Sequence, residues 1–145
     1  MSGTLQEFLD RSLPLPGVAA CCVRFADRTY ITRCEGNWFA NAQVEQVLGR
    51  LALAADSLGY HGLQPTRLCW VFERSRIHLA LRQDGACLAL FVENRPGIAF
   101  ERLESVMDAI QAIPTLATPP TARPACARRG PRCNSSGWCW SRHPC

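Results

Sequence analysis

Residues 76–92, Arg-Ile-His-Leu-Ala-Leu-Arg-Gln-Asp-Gly-Ala-Cys-Leu-Ala-Leu-Phe-Val, decide the fold of this 145-residue chain. Asp84-Gly85 is its strongest hairpin signal and predicts a type I′ turn, in which both central residues have positive φ. The residues on either side therefore form two antiparallel strands, 76–82 and 86–92. Because 86–92 is apolar throughout, we expect that strand to be covered on both faces.

Three further segments have the length and composition of strands. Residues 17–25 are a second, nearly continuous apolar run, followed by a tight turn at Asp27-Arg28. Residues 29–33 are rich in β-branched and aromatic side chains and return as the next strand. Residues 67–73 precede a turn at Arg74-Ser75 and therefore pair with the first strand of the Asp84-Gly85 hairpin.

Three amphipathic segments predict helices at 4–12, 42–58 and 98–113. Thr4 and Asn41 are suited to N-caps, and Gly59 is suited to a left-handed C-cap. The stripe of the long helix comprises Val44, Val47, Leu48, Leu51, Ala55 and Leu58. The stripe of the last helix comprises Phe100, Leu103, Val106, Met107 and Ile110.

The element order α-β-β-α-β-β-β-α predicts an α+β fold. Short connections indicate an antiparallel sheet of about five strands. Because the first and last strands are apolar on both faces, we expect the long central helix on one side of the sheet and the two terminal helices on the other. Residues 1–113 form this domain.

Residues 114–145 have a different composition, rich in Pro, Arg and Cys and without acidic residues. We expect a disordered tail, and its four cysteines lack the tight spacing of a zinc module. The formal charge of +4 belongs to this tail, so the nearly neutral domain does not favour nucleic-acid binding. The absence of a long apolar run argues against a membrane protein. The odd number of cysteines, nine, argues against a framework of disulfides and favours a reducing cytoplasm.

The order of elements, with Leu15-Pro16-Gly17-Val18 entering the first strand and Asp84-Gly85 joining the last two, resembles the Roadblock/dynein light chain family. The resemblance covers about residues 4–113, and profilin-like and longin folds share much of it. One departure is Asp27-Arg28, where family members often have Asp-Gly. The resemblance implies a non-catalytic protein that forms homo- or heterodimers through an edge strand and the long central helix. Such proteins regulate or scaffold small Ras-like GTPases in bacteria and archaea, or serve motor and endosomal complexes in eukaryotes.

The residues themselves also favour a homodimer. If the five strands lie in the order 2-1-5-4-3, strand 67–73 is at a sheet edge, and its centre has neither proline nor charge to protect that edge. A helix or loop of the same chain could shield it, but pairing with a second copy is the sharper hypothesis. The predicted interface comprises Leu68, Cys69, Trp70, Val71 and Phe72 of the strand and Val47, Leu51 and Ala54 of the long helix.

No motif in the chain indicates catalysis. The glycine-rich phosphate loops and the His-Glu-x-x-His metal motif are both missing, so no cofactor or metal is expected. Cysteines inside apolar strands lack the surroundings that stabilise a thiolate. Arg74, Arg76 and His78 are the candidate partner-binding residues, with a solvated hairpin tip and a satisfied strand histidine as the alternatives. Trp38-Phe39 either fastens the long helix to the sheet or belongs to a partner surface.

Taken together, these features predict a non-catalytic dimeric regulatory or scaffold protein acting on a small Ras-like GTPase or within a multi-protein complex. The alternative is a ligand-binding sensory module of profilin-like type, which a buried pocket with convergent polar groups would favour. A cysteine-dependent enzyme is a third hypothesis, and it requires one thiol far more reactive than the others.

Overall fold

The computed structural model describes residues 5–12 and 15–114. Its elements are α1 (Leu5–Ser12), β1 (Val18–Arg24), β2 (Tyr30–Cys34), α2 (Asn41–Tyr60), β3 (Arg67–Val71), β4 (Ser75–Leu81), β5 (Cys87–Glu93) and α3 (Phe100–Ala112). They confirm the predicted α+β order. The expectation of a disordered tail lies outside the described residues, apart from Pro114, and so does the N-cap role of Thr4.

The five strands form one antiparallel sheet in the order β2-β1-β5-β4-β3, which confirms the expected strand order. Strands β1 and β5 are central, and every residue in each except the last is buried. Their pairing places Cys21 opposite Leu90 and Val23 opposite Leu88. Because successive side chains point to opposite faces, both faces of these strands need covering.

Two core clusters cover those faces, and they confirm the predicted layers. The cluster on the side of the terminal helices comprises Leu9, Val18, Cys21, Val23, Phe25, Ala80, Leu88, Leu90, Val92, Leu103, Val106, Met107 and Ile110. The cluster beneath α2 comprises Ala20, Cys22, Val44, Leu48, Ala52, Ala55, Ile77, Leu79, Cys87, Ala89 and Phe91. None of the described helices is long and apolar enough to cross a bilayer.

Both ends of α2 differ from the prediction. Asn41 is the first residue of the helix and Ala40 is the N-cap, where the side-chain oxygen of Gln43 accepts the Ala40 N–H at 3.2 Å. Gly59 lies inside the helix, and Gly62 takes the left-handed conformation instead, with φ +75°. The N–H of Leu63 then donates to the carbonyl of Leu58 at 3.1 Å, which is the Schellman ending.

The Asp84-Gly85 hairpin is confirmed, but its turn is not type I′. Of its turn residues only Gly85 has positive φ, at +82°. The N–H of Gly85 donates to Arg82 O at 3.2 Å, and the N–H of Arg82 donates to Ala86 O at 2.9 Å. This is a three-residue loop with glycine in the left-handed position, in which Asp84 Oδ1 also accepts the Ala86 N–H at 3.1 Å.

The Arg82 side chain connects this hairpin to the end of α3. It is only 7% exposed, and its Nη1 donates to the carbonyls of Ile110 and Gln111. Its Nε donates to Asp84 at 3.1 Å. A cation at a helix C-terminus satisfies carbonyls that lack partners within the helix and interacts favourably with the helix dipole.

We expect Arg82→Met to lower the free energy of unfolding by about 2 kcal/mol, because charge-assisted hydrogen bonds to poorly solvated groups are lost. Urea denaturation followed by circular dichroism measures this. The matched control is Arg33→Met: Arg33 pairs with Asp10 at 3.4 Å, with 49% and 59% of their side chains exposed. Such pairs contribute at most about 1 kcal/mol. Equal losses in the two variants would contradict the capping role.

Candidate interaction surface

Strand β3 has one free edge among the described residues, since it pairs only with β4. Thr66 O accepts the Leu81 N–H at 2.9 Å, and the Phe72 N–H donates to Ser75 O at 2.8 Å. Hydrogen-bonding direction alternates along an antiparallel strand. The main-chain groups of Arg67, Cys69 and Val71 therefore point away from β4, toward the free edge.

On the α2 side of the sheet, the edge carries a half-buried apolar surface. Leu68 and Trp70 pack against the core cluster beneath α2, and so does Leu51 of the helix itself. All three are only partly buried. Two residues of the predicted interface strand and one of the predicted interface helix thus border the same core.

The rotation of α2 decides which of its flanks faces β3. Thr32 Oγ1 donates to Glu45 Oε1 at 2.8 Å, so the Glu45 flank faces β2 at the other edge of the sheet. At about 100° per residue, Val47, Leu51 and Ala54 lie on the opposite flank, toward β3. Val47 is 37% exposed and Ala54 is also exposed.

On the other side of the sheet, α3 covers only part of β3. The guanidinium of Arg67 forms ion pairs with Glu104 and Asp108 of α3. Beyond this contact Cys69 is exposed and Val71 is 66% exposed. Among the described residues, neither a helix nor a loop pairs with the free edge, so the alternative of shielding by this part of the chain is not observed.

Two of the three candidate partner-binding residues lie together here. The guanidinium carbon of Arg76 is 5.5 Å from the centre of the Phe100 ring, and the His78 ring is 6.2 Å from it. His78 Nε2 is 3.9 Å from Cys69 Sγ. Arg74 lies apart, exposed in the β3–β4 turn, where its carbonyl accepts the Asn94 N–H at 3.0 Å.

Phe100 is the residue that the sequence prediction misplaced. Its position in the apolar stripe of α3 predicted burial, but it is 43% exposed and lies over Arg76 and His78. Only its position as the first residue of the helix could have suggested that no neighbouring element covers its side chain. Phe72 and Trp38 are also exposed, at 48% and 54%.

Of the pair Trp38-Phe39, only Phe39 fastens α2 to the sheet. Its ring centre lies 5.5 Å from that of Phe91, a buried residue of β5. The hypothesis of a fastening pair is therefore correct for one residue.

The five described cysteines share one electrostatic property. Burial is the largest influence on each, and it raises the pKa of Cys21, Cys22, Cys34, Cys69 and Cys87. The pKa of Cys22 rises to about 12 and that of Cys87 to about 11. A protonated thiol is a poor nucleophile, so their surroundings do not favour covalent catalysis.

Comparison with known proteins gives structural matches only. No protein-family model matches the chain, and no curated protein matches it. Among solved structures, MglB of Myxococcus xanthus superimposes with a TM-score of 0.53 at 7% identity, over 72% of this chain and 85% of that one. MglB of Thermus thermophilus gives a TM-score of 0.56 at 14% identity, over 73% and 84%. A Roadblock/LC7 domain of Streptomyces avermitilis gives 0.52 at 11% identity, over 75% and 96%. The fold is therefore Roadblock-like.

His78 makes the stability of this surface depend on pH. Burial is the main cause that lowers the pKa of His78 below 6.5; Arg76 adds to the effect and Glu104 opposes it. Between the folded pKa and 6.5, the unfolded chain binds more protons, so stability falls as the pH falls through that window. We expect acidification from about pH 7.5 to about 5.5 to destabilise His78→Gln less than the wild type, as measured by urea denaturation at each pH. An identical loss in both proteins would contradict this.

Proposed function

We propose that this Roadblock-like protein is a non-catalytic homodimer of the cytoplasm that regulates or scaffolds a small Ras-like GTPase or a multi-protein complex. The observation that carries the dimer is the free edge of β3. It presents main-chain groups of three successive outward residues, Arg67, Cys69 and Val71, beside exposed apolar side chains. An unpaired apolar edge promotes association with another strand.

The length of β3 favours one register for that association. Two copies related by a two-fold axis pair antiparallel, and only outward-pointing residues can exchange hydrogen bonds across the axis. An axis at Cys69, the middle residue of Arg67–Val71, uses all three outward residues of both copies. Cys69 then lies opposite its counterpart, and Arg67 lies opposite Val71. An axis shifted by one residue leaves one outward residue of each copy outside the paired strands.

Helix α2 extends the same interface. The flank with Val47, Leu51 and Ala54 faces the β3 side, and Leu51 borders the core that Leu68 and Trp70 also contact. Pairing of β3 with its copy continues the sheet across the axis, which brings two such flanks toward each other on one face. Burial of apolar area from both helices would add to the edge hydrogen bonds.

The GTPase as partner rests on the resemblance to Roadblock proteins and is an inference from fold to function. The chemistry of the surface beside the dimer edge supports a protein partner. Arg74 and Arg76 supply positive charge, while Val71 and Phe100 supply exposed apolar area. Such a surface suits an acidic partner with an apolar contact at its centre.

A non-catalytic role is supported by the chemistry of the chain. The sequence has no phosphate-binding loop, and burial raises the pKa of each described thiol. Residues that bind a partner need neither a nucleophile nor a base, which fits the arginine, aromatic and aliphatic side chains found around the edge.

Val71→Pro tests the dimer at its main chain. The Val71 N–H points away from β4, so proline removes a donor from the free edge and leaves the β3–β4 ladder intact. We expect sedimentation velocity to give twice 16.1 kDa for the wild type and a single chain for the variant. Val71→Thr keeps the N–H and should remain dimeric. A folded Val71→Pro dimer would place the interface elsewhere.

The two flanks of α2 provide a second, matched test. Val47→Glu puts a charge on the flank facing β3, and Leu53→Glu puts the same charge on an exposed site, 63% accessible, away from that flank. We expect the first variant to weaken dimerisation by about tenfold or more, since a buried unpaired charge is costly, and the second to leave it unchanged. Equal effects of the two variants would exclude this flank from the interface.

The partner hypothesis is tested by charge reversal at Arg74. Purified chain is titrated against each small Ras-like GTPase of the source organism, loaded with GDP or with a GTP analogue, and binding is measured by calorimetry. We expect one GTPase to bind, and Arg74→Glu to weaken that binding by about tenfold. Arg33→Glu, at the opposite edge of the sheet, is the control. Dimers that bind no GTPase would limit the function to self-association or another complex.

A further inference from the structure

A cleft of about 270 Å³ lies between the β1–β2 hairpin and α2. Three arginines from three different elements line it: Arg24 at the end of β1, Arg28 in the β1–β2 turn and Arg50 in α2. Tyr30 and Glu45 also line it. Arg24 and Arg28 belong to one hairpin, and the packing of α2 against it brings Arg50 to them.

Arg28 occupies a backbone position that disfavours its side chain. Its φ is +66°, and it is the only described residue other than glycine with positive φ. The N–H of Arg28 donates to Phe25 O at 2.9 Å, and the Phe25 N–H donates to Thr29 O at 2.9 Å. The Asp84-Gly85 turn has the same hydrogen bonds, with glycine at the corresponding position.

Both turns also share an aspartate in the preceding position. Asp27 Oδ1 accepts the Thr29 N–H at 3.0 Å, as Asp84 Oδ1 accepts the Ala86 N–H. The chain thus builds one turn twice, once with the residue that suits its left-handed position and once with arginine. The left-handed backbone conformation is higher in free energy for a residue that has a Cβ than for glycine. Such strain clusters at functional sites.

The three arginines differ in their neighbours, since Arg24 also interacts with the thiol of Cys87 and lowers its pKa against the larger effect of burial. None of Arg24, Arg28 and Arg50 takes part in an ion pair within the part of the chain that the structure describes. The Nε of Arg24 is buried and has no hydrogen-bond partner there. The carboxylate of Glu45 accepts a hydrogen bond from Thr32. The cleft therefore holds three positive charges and one negative charge.

A second local preference is overridden at the same cleft. Gly49 also lines it and lies in the middle of α2, where glycine weakens a helix relative to alanine. A Cβ at this position would lie 3.0 Å from the hydroxyl of Tyr30. Glycine thus lets the tyrosine hydroxyl approach the helix backbone at the wall of the cleft.

We propose that this cleft binds a phosphate group carried by a small soluble ligand. Guanidinium groups match the oxygens of phosphate in pairs of hydrogen bonds, and a phosphate dianion balances the excess of two positive charges. The cleft lies on the Glu45 flank of α2, opposite the flank assigned to the dimer. The proposal is therefore independent of dimerisation and would give a regulator of this fold a ligand to sense.

The test measures the thermal unfolding midpoint of the full chain in inorganic phosphate and in chloride at equal ionic strength. Phosphate should raise the midpoint of the wild type by more than it raises that of Arg28→Gly, because exclusion of phosphate from the surface stabilises both proteins and only a ligand of the folded state stabilises one of them further. O-phosphoserine, a small phosphate monoester, forms a second arm. Its dissociation constant, compared with that of inorganic phosphate, separates a phosphorylated ligand from free phosphate.

Arg28→Gly is the most informative variant, because relief of strain should raise its stability while loss of the guanidinium should weaken its phosphate binding. We expect it to unfold at a higher temperature than the wild type in chloride, because glycine suits φ +66°, and to bind the phosphate probes about tenfold more weakly. Arg50→Gln should also weaken binding. Arg102→Gln changes an exposed arginine of α3 and should bind as the wild type does.

Two results would overturn the proposal. One is a wild-type midpoint that is the same in phosphate, phosphoserine and chloride. The other is binding by Arg28→Gly within twofold of the wild type. A higher unfolding midpoint of Arg28→Gly in chloride shows that this variant is folded and that its strain is relieved. Its loss of binding then cannot be attributed to unfolding.

Discussion

Strands β1 and β5 are apolar on both faces, and the need to keep both faces from water determines the arrangement of the whole domain. One helix cannot cover two faces of a sheet, so α2 lies on one side and α1 and α3 on the other. Covering the centre in this way leaves the outer strands less protected. The consequence is a sheet with a well-packed middle and a margin at β3 where main-chain groups and side chains meet solvent.

The two proposed interaction surfaces follow from that uneven cover. At the β3 edge, α3 reaches only as far as Arg67, and the main chain at Cys69 and Val71 has no partner within the described part of the protein. Next to it, Phe100 extends over Arg76 and His78 rather than into the core. On the other flank of α2, arginines collect beside Tyr30. Association through one flank leaves the second flank open, so self-pairing and ligand binding are compatible in one small domain.

Departures from local preference distinguish the arginine cleft from ordinary packing. Arginine in a left-handed turn position and glycine in mid-helix are each unfavourable by themselves, and both border the same cleft. Elsewhere the turns obey the usual preferences: Gly85 has the left-handed position of its hairpin and Gly62 that of the α2 ending. Local rules are therefore broken where side chains converge on solvent and kept where they only connect elements, as expected for functional sites.

Hydrophobic periodicity and turn residues were enough to derive the eight elements and the sides on which the helices lie, because burial acts on each segment's own pattern. The same local signals missed the type of the Asp84-Gly85 turn and the end of α2, since several turn geometries accept the same residues and the competing glycines, Gly59 and Gly62, lie only three positions apart. Phe100 was assigned to the core because periodicity reports which side of a helix is apolar, not how far the neighbouring sheet extends. The direction of the free main-chain groups of β3 and the approach of Arg50 to Arg24 and Arg28 were decided by the tertiary structure alone, because both depend on the register and packing of segments that no local pattern relates.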